Sequence, residues 1–264
     1  MKAEMKRILH SGWLRPFVLI LGLLVLWDLA IRVFAIPQYL IPAPTKVVEQ
    51  LYKEGPHLLK ESLLTTYATL GGFALSILFG VPIAMLIAYS RTVESYVYPL
   101  LVFSQSIPKI AIAPLFVVWF GFGILPKIIC AFLLGFFPVV VSTVMGFKSV
   151  EPDMVDLARS MGSTRLQMFF KVSLPQALPS IFSGLKVSIT LAVVGAVVGE
   201  FVGSNSGIGY VLQVANGNFD LPLMFAGLVV LSLIGVLLFV IIDRIEKMMI
   251  PWHPSHRNEF QAVA

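Results

Sequence analysis

The chain has 264 residues, of which 58% are hydrophobic and 12% charged, against about 25% charged in an average soluble domain. Its mean hydropathy is +0.90 and its net charge is +5. That balance excludes an ordinary water-soluble enzyme, a disordered chain and a nucleic-acid-binding domain. The one cysteine, Cys130, excludes a disulfide scaffold and a Cys-based zinc site.

A membrane-spanning helix needs about 20 mostly apolar residues. The sequence predicts an all-α integral membrane protein with about six such helices. Residues 1–16 form a basic N-terminal segment. Residues 17–35 form the first span, where Asp28 and Arg32 stand four apart on one face and can pair. Val33-Phe34-Ala35 resembles a signal-peptide cleavage site, but charges so close to the apolar run argue against one. Residues 36–61 hold Pro37, Pro42 and Pro44, then Thr45 as an expected N-cap. Val47, Val48, Leu51 and Tyr52 follow at helical spacing, which predicts a short amphipathic helix outside the bilayer. Residues 62–90 contain the uncharged second span.

The third span, 96–120, is interrupted by Ser104-Gln105-Ser106-Ile107-Pro108-Lys109. A broken helix at membrane depth is tolerated only when buried in protein or lining a wet cavity. Residues 128–147 form the fourth span, 181–202 the fifth, with Lys186 and Glu200, and 221–242 the sixth. The core of the chain is thus 62–250, followed by a tail, 251–264. Between the fifth and sixth spans, Gly203 to Tyr210 reads as a glycine-rich turn before a short amphipathic stretch.

Six spans place both termini on one side. With that side inside, 13 Lys and Arg are cytoplasmic and six external, which is the positive-inside pattern of a multi-pass protein with both termini cytoplasmic. The external lysines 46, 53 and 60 are matched by Glu49, Glu54 and Glu61, so that loop is nearly neutral.

The longest cytoplasmic loop, 148–179, carries the most information. Glu151-Pro152-Asp153 reads as a helix start. Val155, Leu157, Ala158 and Met161 give it an apolar face, and Gly162 ends it as a C-cap glycine would. Ser163-Thr164 can cap a second helix with Leu166, Phe169 and Phe170 on one side. Neither helix can bury its apolar face alone, so docking against the bundle or a partner is expected.

The spacing of that loop resembles a known signature. Asp156-Leu157-Ala158, three residues, Gly162, nine residues and Val172-x-Leu174-Pro175 are similar to the EAA motif of bacterial ABC importer permeases, Glu-Ala-Ala-x3-Gly-x9-Ile-x-Leu-Pro. Asp156 for Glu and Val172 for Ile depart from it conservatively, whereas Leu157 for Ala adds bulk. Further stretches resemble the nitrate/sulfonate/taurine-type branch. They are Ile41-Pro42-Ala43-Pro44, Ile107-Pro108-Lys109 to Pro114, Trp119 to Gly123, Phe136-Phe137-Pro138, and Gly199-Glu200-Phe201 through Gly207-Ile208-Gly209-Tyr210. The resemblance spans roughly 38–250.

The resemblance implies a type I importer permease in a bacterial inner membrane, paired with a second permease subunit as a homodimer. It also implies two ABC ATPase subunits, which carry the ATP and Mg, and an external solute-binding protein. This chain itself would bind no cofactor or metal and catalyse no covalent step. Asp156, Ala158, Gly162, Arg165, Leu174 and Pro175 are the implied ATPase-coupling residues. The implied substrate is a small anion of nitrate, sulfonate or taurine type, or a heterocyclic vitamin precursor.

The residues themselves agree with that division of labour. No Gly-Lys dipeptide exists, so the chain has no P-loop. His10, His57, His253 and His256 all lie outside the spans, without metal-ligand spacing. Gln105 and Lys109 are candidates for the translocation path, although polar side chains in bundles also bond simply to neighbouring helices. Glu200, an acid at membrane depth, is a candidate by its cost alone. It reads either as a gate or pathway residue, or as a buried partner for Lys109 or a helix-end anchor. An ion-coupled secondary transporter is the alternative function. Such folds often carry interrupted helices in both halves, and only the third span is clearly interrupted here.

Overall fold

A computed structural model of the chain describes residues 14–37 and 40–252, with side chains from residue 18 onward. The basic residues before position 14, His253, His256 and most of the tail lie outside the described residues. Within them every regular element is a helix. They are α1 (Leu14–Val33), α2 (Pro44–Lys53), α3 (Gly55–Tyr89), α4 (Arg91–Ser106), α5 (Lys109–Phe120), α6 (Ile124–Lys148), α7 (Pro152–Ser160), α8 (Arg165–Met168), α9 (Leu174–Gly203), α10 (Ile208–Gly217) and α11 (Leu221–Met249). A π-helical stretch, Phe169–Ser173, joins α8 to α9.

Four spans pass on length and hydropathy among the described residues, and five if α4 and α5 are one bent span. The 20-residue α1 lies where the first of the expected six spans falls, outside that set of four or five. Its Asp28 and Arg32 pair at 2.7 Å, as their spacing predicts. The elements run longer than their apolar cores: α3 starts at Gly55, ahead of its apolar run, and α9 starts at Leu174 inside the loop. At α2 the expected Thr45 cap is not used. Pro44 takes the first helical position, with extended Ala43 before it, because a proline there fixes φ and loses no intrahelical bond.

The centre is the trio α3, α6 and α9, packed through small residues. A Cβ on Gly72 of α3 would lie 2.4 Å from the Ala131 Cβ of α6. A Cβ on Gly184 of α9 would lie 2.4 Å from the Ser142 Cβ, and one on Gly195 would lie 2.5 Å from the Cys130 carbonyl oxygen. Lipid gives helices little hydrophobic reason to associate, so close backbone approach through small residues supplies the packing instead. Val139, Ile189, Ala192 and Ala196 fill the remaining space, fully buried. Lys186 of α9 is held by α11 through Asp243 at 2.6 Å and Glu246.

Topology follows from the helix directions. Tyr89, Phe147 and Phe169 meet at one end of the bundle, with ring centroids 5.8, 6.3 and 5.9 Å apart. This is the end that carries α7 and α8, here called the loop end. Residues 55–65, 124–127 and 200–221 gather at the opposite, far end, which the hydrogen bonds below tie together. The third span departs from a simple rod: α4 and α5 meet at 91° around Ile107-Pro108. The interruption expected from Ser104 to Lys109 is therefore a sharp elbow.

Candidate functional site

Three places bear on function: the loop, the elbow and a polar cluster at the far end. The loop is built from local sequence. Pro152 opens α7, and Gly162 closes it in the left-handed region at φ +78. The Ser163 N–H donates to the Ala158 carbonyl at 3.1 Å and the Gly162 N–H to the Arg159 carbonyl at 2.9 Å. Those two bonds form a Schellman cap, which satisfies carbonyls the helix end would leave orphaned. Thr164 then starts α8 with a capping box. Its hydroxyl accepts from the Gln167 N–H at 3.3 Å, and the Gln167 side chain accepts from the Thr164 N–H at 2.9 Å.

Of the residues expected to couple, Ala158 is buried, while Asp156 and Arg165 are exposed, as the flanking Arg159 is. Asp156 pairs with Arg159 at 3.4 Å on that surface. Leu157, Met161 and Leu166 stand 58%, 77% and 71% exposed beside them. Leu174 and Pro175 form the first turn of α9, so the loop leads directly into a spanning helix. A cleft of about 520 Å³ lies behind the loop, lined by Glu151, Met154, Lys171, Gln176, Pro179 and Trp252.

At the elbow, Lys109 Nζ donates to Gln105 Oε1 at 2.8 Å across the 91° bend. The two path candidates in the third span thus stand together. Glu200 does not stand with them. It lies at the far end with no exposed surface, and Lys109 is not its partner.

The far-end cluster joins three helices to the start of α10. Thr65 of α3 reaches both Glu200 oxygens, Oε1 at 2.9 Å and Oε2 at 3.1 Å. The same hydroxyl accepts from the Ile208 N–H at 2.9 Å. Glu200 Oε2 accepts from the Gly209 N–H at 2.7 Å, and Glu61 Oε2 accepts from the Gly207 N–H. Lys127 of α6, also buried, donates to the Ser206 carbonyl at 2.8 Å and its hydroxyl at 3.1 Å.

The hydrogen bonds to the two carboxyl groups come from the Thr65 hydroxyl and from two backbone N–H groups. Gly207 has φ +99, and a Cβ there would sit 2.1 Å from Glu200 Oε1. Only glycine fits, for both reasons.

The sequence pointed to Glu200 but not to Glu61, Thr65 or Lys127. By sequence Glu61 balances the loop lysines, whereas in the structure it is Glu49 that pairs with one of them, Lys46, at 2.9 Å. Its hydrogen bond to that exposed lysine holds the Glu49 carboxyl below the usual carboxylate range. The available signal for Glu61 and Thr65 was their spacing of four, which puts both on one face of α3.

Residues 76–251 match the family model described as binding-protein-dependent transport system inner membrane component. The formylaminopyrimidine transport permease protein of Halalkalibacterium halodurans is 40% identical over 240 residues, covering 90% of this chain and 96% of that protein. The taurine transport system permease protein of Escherichia coli is 30% identical over 239 residues, covering 88% and 86%. Among solved structures, an inward-facing MetNI methionine ABC transporter superposes with a TM-score of 0.61 at 21% identity, over 72% of this chain and 95% of that one. That likeness is one of fold. The chain therefore belongs to the inner-membrane components of binding-protein-dependent transport systems, as an ABC importer permease of the branch that includes taurine permeases.

Proposed function

We propose that this chain forms the translocation path of an importer driven by two separate ATPase subunits and supplied by an external solute-binding protein. The observation that carries the reading is the α7–α8 loop. It is locally capped, apolar on its exposed side and continuous with α9. A surface of this kind fits a groove on a partner protein. Asp156, Ala158, Gly162, Arg165, Leu174 and Pro175 build that element, and Gln105 with Lys109 marks the path at the elbow. The charge bias of the loops supports a cytoplasmic loop end with both termini on the same side.

For substrate, we favour a pyrimidine-type heterocycle over a sulfonate. Identity is 40% to the formylaminopyrimidine permease and 30% to the taurine permease, over nearly the same share of the chain. The test is reconstitution with the neighbouring ATPase and binding protein in proteoliposomes. ATP-dependent uptake of a labelled aminopyrimidine supports the reading, and uptake of taurine instead moves the substrate to the sulfonate class. If no ATPase assembles and a proton or sodium gradient drives uptake, a secondary transporter takes its place.

A further inference from the structure

We propose that Glu61, Thr65 and Glu200 are positioning residues for transport. They clasp the start of α10 to α9, so that the outer face is tied to the same continuous helix that begins at the coupling loop. The proposal rests on the importer reading above and adds to it a route between the two faces.

The geometry makes α9 the connecting member. It runs unbroken from Leu174 to Gly203, 30 residues, or roughly 45 Å at helical rise. Its first turn holds Leu174 and Pro175 of the loop, and its last turn holds Glu200. Glu200 receives the Gly209 N–H, while Thr65 links Glu200 to the Ile208 N–H. Glu61 receives the Gly207 N–H. Three successive backbone donors at the start of α10 are thus taken by side chains of two other helices.

An ordinary helix start is capped by its own N-cap side chain. Here that residue is Gly207, which has none, and the cap comes from buried groups with a buried lysine, Lys127, bonded to the adjoining Ser206. Burying charge this way is costly unless geometry and pairing are good. Side-chain caps of the chain's own would hold α10 at lower cost. What the buried arrangement adds is a fixed link between α10, α9 and α3.

The free end of α10 lies on the outer face. Asn216, Gly217, Asn218 and Phe219 are exposed there, Phe219 at 81%. Its other side is keyed to α11, where a Cβ on Gly227 would lie 2.7 Å from Leu212 Cδ2. A load applied to the outer face therefore reaches α10, then Glu200, then the loop along α9. Contiguity alone does not establish coupling, so the readout has to be coupling itself.

The experiment uses the full complex with ATPase subunits and binding protein in nanodiscs. Thr65→Val removes the shared hydroxyl at constant shape, Glu200→Gln replaces the carboxyl by an amide of the same shape, and Thr65→Ser keeps the hydroxyl. Assembly, basal ATP hydrolysis and hydrolysis stimulated by loaded binding protein are measured for each. Thr65→Val and Glu200→Gln should assemble and keep basal hydrolysis, yet lose stimulation by about tenfold or more, while Thr65→Ser retains it.

Unchanged stimulation in assembled Thr65→Val complexes overturns the proposal. So does equal loss in Thr65→Ser. Failure of both Val and Gln variants to assemble also overturns it, since the cluster then serves folding alone. If the unaltered chain binds no ATPase, the importer reading fails instead, which is a separate result.

Discussion

The loop and the far-end clasp solve the same problem in opposite ways. Both must terminate or start short helices at an end of the bundle. The loop does so with its own residues: Gly162 supplies the left-handed turn, and Thr164 and Gln167 cap each other across three positions. The clasp starts α10 with Glu61, Thr65 and Glu200, and one of its bonds joins residues 146 positions apart. A locally capped element can present an exposed apolar face and dock elsewhere without unfolding the bundle. A cap assembled from distant helices holds only while those helices stay together. The loop's caps thus do not depend on the bundle, and the clasp's do.

Substitutions can break that comparison. The largest effect is expected for Gly207→Ala, where both the φ of +99 and the 2.1 Å approach to Glu200 forbid a side chain. A destabilisation of more than about 3 kcal/mol is expected, read as the deepest fall of Tm in detergent. Glu200→Ala comes next, because it leaves the Gly209 N–H without its acceptor and Lys127 with one buried carboxylate fewer. A loss of roughly 3 kcal/mol is expected, read as a lowered Tm in detergent.

Gly162→Val should cost about 1–2 kcal/mol through its φ alone, since nothing lies within 4 Å of a Cβ there. Its cost should stay local, with the Tm of the chain little changed and ATPase binding lost in co-purification. Thr164→Ala should cost about 1 kcal/mol in the cap, detected as faster amide exchange over residues 165–168 with no change in Tm. If Gly162→Val lowered the Tm as far as Gly207→Ala, the distinction between the two ends would be wrong.

The same contrast explains what was legible in the sequence. Helix identity, the interrupted third span and the whole loop could be read because their signals are local. Pro152, Gly162 and Thr164 each act within a few residues of themselves. The Asp28–Arg32 pair was legible for the same reason. Glu61 and Lys127 were not, because each looks like a surface charge until α3, α6 and α9 come together. Glu200 was visible as an anomaly of depth, but its partners are set by packing, which no spacing rule reports. The elbow was legible as a break and not as an angle, since proline disfavours the helical region for the residue before it without fixing the direction taken.

The bond between Lys109 and Gln105 has a consequence of its own. It crosses the 91° bend from the last turn of α4 to the first turn of α5. A large change of that joint's angle would strain or break this contact, because its two side chains sit on opposite arms. The pair is a built-in protractor. An isotopic label in the Gln105 side-chain amide keeps the acceptor and would report, state by state, whether that bond is made.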